Sequence, residues 1–162
     1  MPISIKTIWI VFWLPSNEVM EKRDIEAIYP LTPMQQALLA HALMPDTEDA
    51  GILQVRCRLS GALDQATLSS AWRAVVERHP ALRTSVHWNE TEQPLQVVHK
   101  AVSCDVEYRD GDLESYLKRD RDRGLDLTKS PVSRLVCLKM EDGDHVLVWT
   151  CHHLLLDGWS AS

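Results

Sequence analysis

The sequence predicts a mixed fold of the α/β or α+β class, with helices and strands interleaved along the chain. Three observations carry this. Two segments repeat apolar residues at helical spacing behind N-cap residues, around Pro33–Leu43 and Gln65–His79. Between and after them, short β-branched runs alternate apolar and polar residues. Near the end, two apolar runs flank the tight polar turn "EDGD", the pattern of a β-hairpin. With 162 residues, the chain can build one domain whose core needs no disulfide or metal.

Each element has a local reason. Ile3 to Pro15 ("ISIKTIWIVFWLP") is apolar apart from Ser4, Lys6 and Thr7. It is shorter than the roughly 20 residues of a membrane helix and has no small-residue export cleavage site after it. Residues 1–23 therefore read as an unassigned N-terminal extension, a strand or a segment packed on the domain, ending in the polar linker "PSNEVMEKRD". In "YPLTPMQQALLAHAL", Thr32 is an N-cap, Pro33 suits the first helical position and Gln35 can close a capping box. Met34, Leu38 and Ala42 form a stripe, with Leu39 and Leu43 beside it, expected to face the core. "ILQVRCRLSG" is a strand. In the next helix Asp64 is the cap, Leu68, Ala71, Trp72, Val75 and Val76 make the apolar face, and Pro80 ends it. "ALRTSVHW" and "PLQVVHK" are strands around a polar loop, and "CDVEYRD" is a third. A short charged helix from about Leu113 should stop at Gly124. "SRLVCLKM" and "HVLVWTCHHL" are the hairpin strands.

Composition excludes several functions. A net charge of −6 and no basic cluster argue against a nucleic-acid surface. "KRDRDR" (Lys118 to Arg123) alternates in sign and reads as a solvated helix face. Cys57, Cys104, Cys137 and Cys151 lack zinc or dithiol spacing, so reduced, buried thiols in a cytoplasmic protein are expected, with no metal and no membrane partner.

The chemistry concentrates in "CHHLLLDGWSAS". If the last strand continues through His153, then Leu147, Trp149, Cys151 and His153 share one face, and Val146, Val148, Thr150, His152 and Leu154 the other. The two imidazoles diverge, so one can work on a substrate while its neighbour holds structure, and a shared metal is disfavoured. An imidazole with a pKa near 6.5 can take and return a proton at neutral pH, worth roughly 10²–10⁴-fold in rate when positioned. No Gly-x-Ser-x-Gly elbow is present, so a histidine acting directly on the substrate fits better than a covalent triad. Asp157 can orient a ring or pair with an arginine, and Gly158 permits a sharp backbone turn. Taken alone, adjacent histidines are also an ordinary structural feature.

"HHLLLDGWS" resembles the His-His-x-x-x-Asp-Gly signature of condensation domains in nonribosomal peptide synthetases, shared with chloramphenicol acetyltransferase. "YPLTPMQQALLAHAL" resembles the first motif of those domains and "ERHPALRTSV" the second, in the family's order. The resemblance covers about residues 24 to 162. It implies a chloramphenicol acetyltransferase-like two-layer sandwich, here the N-terminal subdomain of a condensation domain, incomplete at its C-terminus. It implies amide-bond formation between an acyl or peptidyl thioester and an aminoacyl acceptor, both carried on the phosphopantetheine of carrier proteins, with no cofactor bound directly. His153 is then the catalytic residue, accepting the amine proton or stabilising the zwitterionic intermediate. His152 and Asp157 become supporting residues, Asp157 pairing with Arg83 in preference to Arg78, and Gly158 an oxyanion-type donor. The partners implied are carrier proteins and the domain's second half, without which little activity is expected. An acyltransferase sharing its site between subunits, and a non-catalytic carrier-binding remnant, are the alternatives. The motif leans toward joining a D-configured donor to an L-acceptor; epimerisation domains share it. Of the other histidines, His79 is expected at a helix end, while His41, His87, His99 and His145 are expected at the surface or satisfied. The tryptophans are expected in the core or at interfaces, and Trp149, on the His153 face, is the one to check near the tunnel that the resemblance places between the family's two halves.

Overall fold

The computed structural model describes residues 24–44, 51–89 and 91–156. The apolar N-terminal stretch expected to pack on the domain lies outside them. In chain order the elements are β1 (Ile25–Pro30), α1 (Pro33–Ala42), β2 (Ile52–Leu59), α2 (Gln65–Arg78), a 3₁₀ turn (Pro80–Arg83), β3 (Thr84–His87), β4 (Leu95–His99), β5 (Val106–Asp110), α3 (Leu113–Arg123), β6 (Ser133–Lys139) and β7 (His145–His152). Among the described residues they form two sheets, one ordered β1-β4-β3 and one ordered β2-β7-β6-β5. All pairings are antiparallel except β5–β6. That parallel pair needs a crossover, and α3 is it.

The helix ends follow their caps. Thr32 accepts from the Gln35 amide while Gln35 Oε1 accepts from the Thr32 amide at 2.9 Å, so the capping box is closed. Asp64 and Asp112 cap α2 and α3 through the amides of Thr67 and Ser115. Gly124 ends α3 at φ +66°, where glycine alone has no Cβ penalty.

The apolar stripe expected on α1 is narrower than the spacing suggests. Leu39 is buried and Leu38 and Ala42 pack beside it, over Leu31, Val86, Leu127, Val132 and Leu154. Met34 is 71% exposed and Leu43 50%. Met34 in the first turn and Leu43 just past the last helical residue project beyond the core that the rest of the stripe covers.

Alternation in the four-stranded sheet feeds two cores. The register pairs Val136 with Val148 and Leu138 with Val146, and these residues meet Tyr116 of α3. Their neighbours Leu135, Cys137, Leu147 and Trp149 face the other way, against Leu68 and Trp72 of α2. Burying each such aliphatic chain contributes about 1.5–3 kcal/mol. β2 lies at an edge of the sheet and carries Arg56 and Arg58. Arg58 binds Asp142 and Asp144 of the β6–β7 turn, and such charges blunt an edge that would otherwise template pairing.

Two expectations are corrected here. The run Lys118 to Arg123 is not wholly a solvated face, because Asp120 is only 3% exposed. Its Oδ1 accepts from Arg134 Nε at 2.5 Å and Tyr116 Oη at 3.0 Å. Its Oδ2 accepts from Thr150 Oγ1 at 2.5 Å and Gln54 Nε2 at 2.8 Å. Burial pushes this carboxyl up, but the donors from Arg134, Thr150 and Gln54 outweigh it and hold the group below its ordinary range. The cysteines are free as expected, but only Cys137 and Cys151 are buried, while Cys57 is exposed on the edge strand. Among the described residues no helix is long and apolar enough to cross a membrane.

Candidate active site

The end of β7 builds the site. The sequence pattern runs the strand through His153, but pairing stops one residue earlier, where His152 faces Ile52 of β2. His153 is the first residue of the turn that follows, so strand alternation does not fix its ring. Its amide donates to Gly51 O at 2.7 Å, closing the end of the β2–β7 ladder.

The two imidazoles occupy different surroundings. His152 is buried, and its Nδ1 accepts from the Leu154 amide at 3.1 Å. Its ring lies against Gly51. A Cβ at Gly51 would stand 2.7 Å from both Cε1 and Nε2, and Gly51 already holds φ +82°. Only glycine satisfies both constraints.

His153 is half-buried. Its Nδ1 lies 2.6 Å from Leu156 O. A carbonyl oxygen can only accept, so Nδ1 carries the hydrogen and the neutral ring keeps its lone pair on Nε2. Among the described residues Nε2 has no hydrogen-bond partner. The arrangement presents a base whose tautomer is set by its own turn.

The turn is anchored from several sides. Leu154 inserts its side chain into the core under α1. Gln35 Nε2 donates to Leu154 O at 3.1 Å. Behind the turn, Thr150 binds Asp120, tying β7 to α3 two residues before His152.

Arg83 is buried, with its Nε and Nη1 engaged locally. Its Nε donates to Val76 O at 3.2 Å, and its Nη1 binds Glu26 Oε2 at 2.7 Å and the carbonyls of His99 and Lys100. It fastens the end of α2 to β1 and β4. Arg78 is exposed at the last position of α2, where a cation suits the helix dipole. Asp157 and Gly158, and with them the expected Asp157–Arg83 pair, lie outside the described residues.

Other candidates fall away from this place. His79 ends α2 and starts the 3₁₀ turn, as expected. His87 and His99 both meet Ser85 Oγ, at 2.9 and 2.7 Å. Burial, with the neighbouring His99, lowers His87 to about 4. His145 departs from expectation: its Nδ1 is buried without a partner among the described residues. Trp149 packs under α2, edge-on to Trp72 with ring centres 6.2 Å apart. A T-shaped pair of this kind is a packing contact.

Sequence reasoning missed three residues that shape the site: Gly51, Asp120 and the second role of Gln35. Gly51 carried a faint signal, a lone glycine just before a strand. The other two had none, because their partners are distant in sequence.

Known proteins resemble this chain in sequence and in fold. A family model described as the condensation domain matches residues 25–162. Bacitracin synthase 3 of Bacillus licheniformis is 33% identical over 147 residues, covering 85% of this chain and 2% of that protein. Tyrocidine synthase 2 of Brevibacillus parabrevis is 31% identical over 154 residues, covering 89% and 4%. The first condensation domain of the CDA synthetase superposes with a TM-score of 0.72 at 19% identity, covering 83% of this chain and 37% of that one. A four-domain nonribosomal peptide synthetase superposes at 0.73 and 19%, covering 91% and 12%. The chain thus spans a few percent of the curated synthases and about a third of a solved condensation domain, and the fold is theirs. By that match across nearly all its described length, the chain belongs to the condensation-domain family of nonribosomal peptide synthetases.

Proposed function

We propose that this chain contributes the histidine wall of a condensation site that joins two thioester-bound substrates through an amide bond. The amine of an aminoacyl thioester attacks the carbonyl carbon of an acyl or peptidyl thioester. The C–N bond forms, the C–S bond breaks, and the sulfur leaves as the thiol of a phosphopantetheine arm on the donor carrier protein. The attacking amine must lose one proton, and the departing thiolate must gain one. His153 Nε2 takes the first and can return the second, so the ring ends as it began. Gly158 is the candidate amide donor to the carbonyl oxygen as charge builds there. His152 and Arg83 support the fold around this chemistry, and Asp157 is proposed to pair with Arg83 and pin the loop.

The observation that carries this reading is the 2.6 Å contact of His153 Nδ1 with Leu156 O. It fixes the hydrogen on Nδ1 and leaves Nε2 as acceptor. The burial of His152 separates the roles: a ring seated against Gly51 can shape the turn but has little access to a substrate.

The test uses a complete condensation domain that contains this segment, with loaded donor and acceptor carrier proteins. His153→Ala should slow product formation at least about 10²-fold, the usual worth of a positioned base. A rate within about threefold of the parent would overturn the assignment.

A further inference from the structure

We propose that Gln35 is a positioning residue for His153, acting through the carbonyl of Leu154; this rests on His153 being the proton acceptor described above. Among the described residues, five hydrogen bonds tie the turn from His152 to Leu156. The His153 amide goes to Gly51 O, the Leu155 amide to His152 O and the Leu154 amide to His152 Nδ1. Leu156 O receives the His153 ring. Those four ties lie within the turn or at its junction with β2. The fifth comes from elsewhere: Gln35 Nε2 reaches Leu154 O from α1, 119 positions earlier in the chain.

The Gln35 carboxamide cannot simply swivel. Its Oε1 is held by the Thr32 amide at 2.9 Å in the capping box. Exchanging oxygen for nitrogen would set an NH₂ against that N–H. The helix cap therefore decides which way Nε2 points, and Nε2 holds the plane of the Leu154–Leu155 peptide. That plane in turn aims the chain at Leu156 O. If it rotates, Leu156 O leaves Nδ1, and the His153 ring loses the contact that keeps its hydrogen there. The lone pair is then no longer confined to Nε2. Gln35 acts on the site by setting a tautomer, without touching the ring.

Two substitutions separate this role from helix stability. Gln35→Glu keeps an oxygen for the Thr32 amide but removes the donor to Leu154 O. Gln35→Lys supplies a donor but cannot accept from Thr32. In the 162-residue chain labelled with ¹⁵N, two-bond imidazole correlations report the Nδ1–H to Nε2–H ratio of each ring, with His153→Ala identifying the signal. Gln35→Glu should lower the His153 ratio about fivefold, the effect of one net hydrogen bond. Gln35→Lys should keep it within about twofold of the parent while weakening the start of α1. If Gln35→Glu does not fold, Gln35→Leu against Gln35→Lys gives the same contrast. An unchanged ratio in Gln35→Glu, or equal ratios in the Lys variant and the variant lacking a donor, refutes the proposal. No turnover is measured, so this result stands or falls apart from the condensation assay.

Discussion

Replacing Asp120 with alanine tests what locks β7 behind the histidine turn. The carboxylate is buried and takes four hydrogen bonds, from Arg134, Tyr116, Thr150 and Gln54. Alanine leaves the Arg134 guanidinium, whose side chain is 16% exposed, without its countercharge. It also leaves two buried hydroxyls without their acceptor. Removing one member of a buried ion pair costs about 3–5 kcal/mol. An unsatisfied hydroxyl costs about 1–3 kcal/mol by itself, and such losses within one network do not add. About 4 kcal/mol is the resulting expectation. For a domain of this size that corresponds to a fall in Tm of roughly 10 °C. Urea unfolding followed by circular dichroism measures it, with an unchanged m-value showing that the unfolded state is the same. Asp122→Ala, two residues on and exposed, is the control and should stay within about 0.5 kcal/mol of the parent. If Asp120→Ala loses no more than Asp122→Ala, the network is at break-even and something else holds the strand.

Acid should act in two windows. His87 is lowered to about 4 by burial and by His99, while an unfolded histidine titrates near 6.5. Between those values the unfolded chain binds the extra proton, so stability falls as pH drops through that interval, and His87→Gln should flatten this part of a stability–pH curve. Asp120 is held below its ordinary value, so its contribution is complete above about pH 4 and is lost as pH falls further, a second decline that Asp120→Asn should reduce. Gly51→Ala should cost about 1–3 kcal/mol through its positive φ and its clash with His152, and should speed amide exchange at His153, whose N–H binds Gly51 O. Leu138→Ala, at 1% exposure, should cost about 2–5 kcal/mol in urea unfolding, whereas Met34→Ala should stay within about 0.5 kcal/mol.

The sequence made legible whatever depends on near neighbours. Thr32 with Gln35 and Asp64 with Thr67 are each three residues apart, and both caps form. The β6–β7 hairpin is equally local, closed by the five residues between Lys139 and His145. The first three residues of "ALRTSVHW" belong to a 3₁₀ turn instead of strand, because Pro80 starts a helical turn that runs through Arg83. The end of β7 at His152 was hidden because it depends on where β2 begins, at Ile52. Asp120 looked like surface charge because its partners Gln54, Arg134 and Thr150 are scattered across three strands. Met34 fits the helical stripe on α1, yet no arithmetic of spacing reveals where the core beneath a helix ends.

The sheet order has a consequence for synthesis on the ribosome. β2 is made early, yet its neighbour in the sheet is β7, and Ile52 must wait for His152. At about 5–20 residues per second, those hundred positions take on the order of 5–20 s to translate. Throughout that interval the nascent strand, with Val55 and Cys57 along it, has no native partner to zip against. Its arginines then guard it from other nascent chains, an assignment that ends when the histidine-bearing strand emerges from the exit tunnel.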